Sequence, residues 1–178
     1  VVDTGYQLHS EYLKNLKPYP FITLAPETNP SVEKTLAVTY CKRGDKNLNL
    51  DVFAPVQKTS VQRKAIIIIH GGGWRSGNRN LHHGLATKLA SMGYVCFTPE
   101  YRLSTEALFP AAVHDIKAVI RWVRKQAVKY HIDPKQITVA GHSAGGELAA
   151  FMGATNGKKE WDGEGFEPGI STDVQSVV

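Results

Sequence analysis

Cysteine is scarce: Cys41 and Cys96 are the two in 178 residues. A disulfide framework is therefore not what holds this chain, and the fold has to rest on an apolar core. Both thiols lie in strand-like stretches. Two buried thiols are the favoured reading, a disulfide between them has no support, and their spacing suits no metal site. Long apolar runs are missing as well. None approaches the ~18 residues of a membrane span, so no membrane partner is expected. Internal repeats and low-complexity tracts are absent. Histidine is absent from the whole stretch after His142, although the chain holds seven. An initiating methionine and a signal-peptide pattern are absent too. A chain starting Val1-Val2 is expected to be processed or a piece of something longer, which leaves localisation open, leaning to secreted or periplasmic over cytoplasmic.

Acidic residues are outnumbered, 16 against 21 basic ones, for a net charge of +5. The basic residues are dispersed. Arg121, Arg124, Lys125 and Lys129 are expected on the polar, solvated side of a helix, so no nucleic-acid partner is expected. Hydrophobic residues make up 42% and charged residues 21% of the chain, in the range of a soluble globular domain long enough to bury a sizeable core.

Along the chain, Pro18, Pro20, Pro26 and Pro30 forbid long helix and predict an amino-terminal arm over residues 1–34, with a helical turn near Glu11 to Leu16. The remaining residues, 35–178, read as one domain. Thr35 to Tyr40 and Leu48 to Phe53 suit strands, joined by Gly44-Asp45-Lys46-Asn47 as an antiparallel hairpin at a sheet edge. Ala65 to Ile69 is apolar on both faces, as in a central parallel strand. Leu81, Leu85, Leu89 and Met92 share one helical face, and Gly93 is a natural stop. Tyr94 to Phe97 is the next strand. Pro110 opens a helix with Val113, Ile116, Val119, Ile120, Val123 and Ala127 as its apolar stripe. Gln136 to Ala140 is a strand, Asn156 to Gly169 a polar loop, and Thr172 to Val178 the start of a further strand. Alternating strands and helices predict an α/β fold with a mostly parallel sheet, right-handed crossovers and helices on both faces.

Two glycine motifs fall at carboxyl ends of strands, where sites in such sheets form. His70-Gly71-Gly72-Gly73-Trp74 follows the isoleucine run. It reads as a flexible turn, a phosphate cradle or an oxyanion loop. No Gly-Lys-Ser/Thr follows it and the dinucleotide glycine spacing is missing, which weighs against phosphate. Gly141-His142-Ser143-Ala144-Gly145 sits between a strand and a helix. Alone it is as consistent with a Gly-Ser turn; in that setting it matches a nucleophile elbow. Ser143 would stand at a helix start, where free N–H groups and the helix dipole favour a developing oxyanion. In a chain that holds an elbow, the oxyanion loop is the better reading of the first motif.

Together, His70 to Trp74 and Gly141 to Gly146 resemble the α/β-hydrolase esterases and lipases, in particular their hormone-sensitive-lipase-like and bacterial carbohydrate-esterase branches. Glu100-Tyr101-Arg102-Leu103, Phe109-Pro110-Ala111-Ala112, Asp115 and Trp122 resemble segments between the motifs in those enzymes. The resemblance covers roughly residues 35 to 155 and implies the α/β-hydrolase fold. It implies Ser143 as an acylated nucleophile, with Gly72, Gly73 and Ala144 donating to the oxyanion. His70 braces the glycine loop, and Tyr101, Arg102 and Asp115 are structural. Trp74 is a candidate for lining the substrate site, with packing against the loop equally open. No cofactor or metal is implied.

The expected activity is that of a serine carboxylester hydrolase removing short or aromatic acyl groups from carbohydrate esters. The rivals are a non-catalytic binding module and a peptidase or amidase on the same scaffold. One departure matters. In these enzymes the triad runs Ser, then Asp or Glu, then His. No histidine follows Ser143, so the triad acid and base and the later strands are expected to be missing from this chain. A carboxyl-terminal segment of the same protein is the expected partner, and 178 residues alone are expected to be inactive.

Overall fold

A computed structural model describes residues 8–163 and 166–178. Strands β1 (Val32–Arg43) and β2 (Lys46–Pro55) form the antiparallel hairpin, with Gly44 at a φ of +56° in its turn. Both are longer than their apolar centres predict, because the ladder continues through the polar Lys42↔Asn47 and Arg43↔Lys46 pairs. Strands β3 (Arg63–Ile69), β4 (Val95–Pro99), β5 (Ile132–Gly141) and β6 (Ser176–Val177) follow. The sheet order is β1-β2-β4-β3-β5-β6. The last four run parallel, while β2 joins β4 antiparallel. This is the mixed, mostly parallel sheet of the α/β-hydrolase fold.

The isoleucine run explains why helices cover both faces. Ala65, Ile67 and Ile69 enter the larger core, and Ile68 enters a smaller one on the opposite face. Period-two alternation puts neighbours on opposite sides, so an all-apolar strand needs two covers. Helices α3 (Ala111–Lys125) and α5 (Ala144–Ala154) build the larger core and α2 (His83–Ser91) the smaller. Burying each such isoleucine is worth about 1.5–3 kcal/mol. Helix α1 (Leu8–Leu16) precedes the prolines, and a short α4 (Ala127–Tyr130) follows α3. No helix among the described residues is long and apolar enough to cross a membrane.

Two expectations need correction. The leucine face of α2 is not the buried one: Leu85 is 45% and Met92 63% exposed. Gly84, Ala86 and Ala90 face inward instead. Small side chains let the helix lie close, and a β-carbon at Gly84 would stand 2.5 Å from the Ala25 carbonyl oxygen of the amino-terminal arm. The polar side of α3 is not solvated throughout either. Arg121 is 1% exposed, Arg124 is half-buried, and only Lys125 and Lys129 of the four stand in solvent. Arg121 Nε and Nη1 and Arg124 Nη2 donate to backbone carbonyls of the segment after α5, and Arg124 Nε donates to the Pro134 carbonyl of β5, which offsets much of the water they lose, while Arg121 Nη2 is buried without a partner among the described residues.

Candidate active site

The register of β3 against β5 pairs Ile69 with Gly141. The two glycine motifs therefore leave the sheet side by side at the carboxyl ends of neighbouring parallel strands. A β-carbon on Gly71 would fall 2.6 Å from the His142 carbonyl oxygen and 3.2 Å from the Ser143 β-carbon. The loop and the Ser143 turn are thus in van der Waals contact.

Ser143 is exposed, at φ +56° and ψ −126°, between β5 and the first residue of α5. A non-glycine residue in that region costs about 1–3 kcal/mol and needs surroundings that enforce it. Gly145 supplies them. A β-carbon there would sit 2.1 Å from the Ile69 carbonyl oxygen, so only glycine lets α5 start so close to β3. The Gly145 N–H then bonds the His142 carbonyl at 3.0 Å, and the Glu147 N–H bonds the Ser143 carbonyl at 3.0 Å. Both bonds fix the turn.

The glycine loop doubles back on itself. The Arg75 and Ser76 N–H groups and the Ser76 hydroxyl all donate to the Gly72 carbonyl. Gly72 has a φ of +121°, and Gly73 and Trp74 stand at +58° and +57°. With that carbonyl tied back, the N–H groups of Gly72 and Gly73 are left over. Among the described residues, no acceptor takes the N–H of Gly72, Gly73 or Ala144. The Trp74 carbonyl takes the Ser104 N–H at 2.7 Å, anchoring the loop's far end.

His70 lies under this loop, 1% exposed. Its ring stacks on Tyr101 with centroids 4.4 Å apart, and Nδ1 bonds the Gly71 carbonyl at 2.8 Å. The Tyr101 hydroxyl donates to the His70 carbonyl at 2.9 Å. Burial lowers the His70 pKa to about 4, so its imidazole is neutral at pH 7. Asp115 is also fully buried, and receives Arg43 Nε, Arg102 Nε and the Arg102 N–H at 2.8–3.1 Å. This ties the chain after Tyr101 to α3. On the other side, Asp51 accepts from Arg79 and contacts His83 Nε2 at 2.8 Å, which holds the turn carrying His82. The His82 ring lies 6.4 Å from that of His142. Burial, then the nearby His142, lowers the His82 pKa. Among the described residues, no histidine or carboxylate is hydrogen-bonded to the Ser143 hydroxyl.

A cleft of about 410 Å³ opens beside the loop, mostly apolar, lined by Gly73, Trp74, Phe109, Val113, Leu148 and Phe151 among others. Phe109 and Phe151 are not among the site residues the sequence predicts. A signal existed for one of them: Glu147, Leu148 and Phe151 follow Ser143 at helical spacing and so share the face of α5 beside it. The approach of Phe109 depends on how α3 packs and leaves no such trace.

Comparison with known proteins bears on this arrangement. The BD-FAE family profile matches residues 50–178, which includes both glycine motifs. The chain belongs to the BD-FAE family. Arylacetamide deacetylase of Oryctolagus cuniculus is 32% identical over 157 residues, covering 84% of this chain and 39% of that protein. Esterase LipC of Mycobacterium tuberculosis is 32% identical over 130 residues, covering 72% of this chain and 32% of that protein. The BD-FAE chain thus spans less than half the length of these curated relatives. Among solved structures, a truncated form of a carbohydrate esterase from gut microbiota superposes with a TM-score of 0.74 at 32% identity, over 84% of this chain and 57% of that one. An esterase of Thermogutta terrifontis, solved with butyrate bound, gives 0.70 at 30% identity, over 83% and 52%.

Proposed function

We propose that this BD-FAE chain carries the nucleophile and oxyanion site of a serine carboxylester hydrolase. The observation that supports it best is the exposed Ser143, held in a strained turn at the start of α5 against a glycine loop with unspent N–H groups. Ser143 Oγ attacks the ester carbonyl carbon as its proton passes to a histidine base. Gly72, Gly73 and Ala144 N–H groups receive the oxyanion; one such donor is worth about 2.7–4 kcal/mol in the transition state. The alcohol leaves with the base's proton, and water then releases the acid from Ser143.

The base and its acid partner belong to a segment of the whole protein outside these 178 residues. His70 does not fill the role: it is buried, its Nδ1 is engaged by Gly71, and its pKa is far below neutral. Trp74 lines the cleft that takes substrate. The substrates are short or aromatic acyl esters of carbohydrates, a reading supported by the carbohydrate esterase named among the structural neighbours.

The test is hydrolysis of p-nitrophenyl acetate by the full-length protein and its Ser143→Ala variant. The expected loss is on the order of 10⁴-fold or more in kcat with the fold unchanged. Turnover that survives the substitution places the nucleophile elsewhere.

A further inference from the structure

The sheet has a second opening at the end away from Ser143. A groove of about 520 Å³ lies where the parallel strands begin. Its walls are the end of β2 at Pro55 and the chain after it, the starts of β3 and β4 at Arg63 and Val95, and the corner between α4 and β5 at Tyr130 and His131. Ser143 stands at the carboxyl ends of the same strands. The seven residues of β3 separate the two places by about 20 Å, at about 3.3 Å per residue. A ligand in the groove therefore does not compete with one at Ser143.

Arg63 fixes the groove's shape. Its Nη1 donates to the Gly93 carbonyl at 3.2 Å, its Nη2 to the Gln57 carbonyl, and its backbone N–H to the His131 carbonyl at 2.9 Å. Three chain segments are tied to one residue, which lowers the ordering cost of binding there. The floor is apolar, with Val52, Val95 and the Tyr130 ring, itself held edge-on by Phe97 at 5.7 Å. The rim is basic. Lys58 and Lys129 are exposed on it, and Lys129 Nζ stands 5.0 Å from the centroid of the Tyr130 ring. With Arg63 they set three cations against one carboxylate among the lining residues, Glu33. Among the described residues, no acceptor takes the Lys58 ammonium or Arg63 Nε, and no carboxylate pairs with Lys129. A rigid apolar floor under unneutralised cations suits a ligand that offers flat C–H faces and negative charge together. A sugar ring that bears a carboxylate offers both.

We propose that this groove is a second, non-catalytic site that binds carboxylate-bearing saccharide chains, with Lys58, Arg63 and Lys129 facing the carboxylates and the apolar floor facing the sugar rings. The choice of a saccharide rests on the carbohydrate-ester reading of the Ser143 site. The place and the sign of the charge rest on the groove alone.

The test is titration calorimetry on the full-length protein carrying Ser143→Ala, which keeps turnover out of the measurement. The probes are hexagalacturonate, uncharged cellohexaose and hexaglutamate. Hexagalacturonate is expected to bind at least about tenfold more tightly than either of the others, and to weaken as salt rises. Lys58→Gln together with Lys129→Gln lowers its affinity about tenfold, the loss of two exposed ion pairs. Lys88→Gln together with Lys158→Gln removes the same charge at exposed positions outside the groove and leaves the affinity unchanged. No binding of hexagalacturonate, or binding that the Lys58 and Lys129 substitutions do not weaken, overturns the proposal. Equal losses from the two pairs of substitutions reduce the effect to net charge and overturn the site. Hexaglutamate that binds as tightly as hexagalacturonate overturns the saccharide assignment. Hydrolysis of p-nitrophenyl acetate is followed separately in proteins that keep Ser143, and the Lys58 and Lys129 substitutions are expected to leave it unchanged. Its absence in the wild type overturns the nucleophile reading and leaves the calorimetric result standing.

Discussion

Ser143 and His70 are both held in states an isolated residue would avoid. The cost at Ser143 is conformational and is met by the turn's own hydrogen bonds and by Gly145. The cost at His70 is electrostatic. Burial disfavours its charged form and brings the pKa from 6.5 to about 4. In the unfolded chain the imidazole takes a proton below pH 6.5, whereas in the fold it stays neutral down to about 4. The unfolded state then binds more protons, so stability is full above pH 6.5 and falls as pH drops through that window. Each such group contributes a slope of up to about 1.4 kcal/mol per pH unit. His82, also lowered, adds in the same direction. Urea denaturation between pH 7.5 and pH 4 measures it. His70→Gln is expected to lower stability at pH 7.5 and to flatten the slope; an unchanged slope contradicts a neutral buried His70.

At the scale of elements, α3 does two jobs. One face carries Val113, Ile116, Val119, Ile120 and Val123 into the larger core, as its apolar spacing predicts. The other is not a plain solvated face. Arg121 is buried and Lys125 exposed, although the two are four residues apart and chemically alike in a sequence pattern. What separates them is a chain segment that arrives from more than 40 residues away, which helical periodicity does not contain. The same holds for α2, where the leucine spacing predicts a buried face and Gly84, Ala86 and Ala90 take that place. Periodicity reports amphipathicity, not how close a helix must pack. The difference is measurable. Arg121→Ala leaves the Asp162 and Phe166 carbonyls without their donor and a void in the core, and is expected to destabilise by about 3 kcal/mol. Lys125→Ala, whose partner Glu167 is also exposed, is expected to stay within about 0.5 kcal/mol. Thermal melts of the two variants decide it; equal, small shifts would return Arg121 to a solvent-exposed role.

For the molecule as a whole, the hairpin, the doubly covered isoleucine strand and the parallel order were legible because each follows from local pattern and crossover rules. The meeting of the two glycine motifs was legible for the same reason, since both sit at carboxyl ends of parallel strands. The cleft was not. Trp74, Phe109 and Phe151 reach it from a loop, from the chain before α3 and from α5, so no single stretch of sequence describes it.

We propose Ser143 as the nucleophile of an esterase whose histidine base lies outside these residues. The direct measurement is reaction of the full-length protein with a fluorophosphonate probe, followed by peptide mapping of the adduct. The prediction is a single adduct on Ser143, lost in Ser143→Ala and formed far more slowly by the 178-residue chain alone. An adduct on another residue, or an active protein that takes no label at Ser143, contradicts the claim.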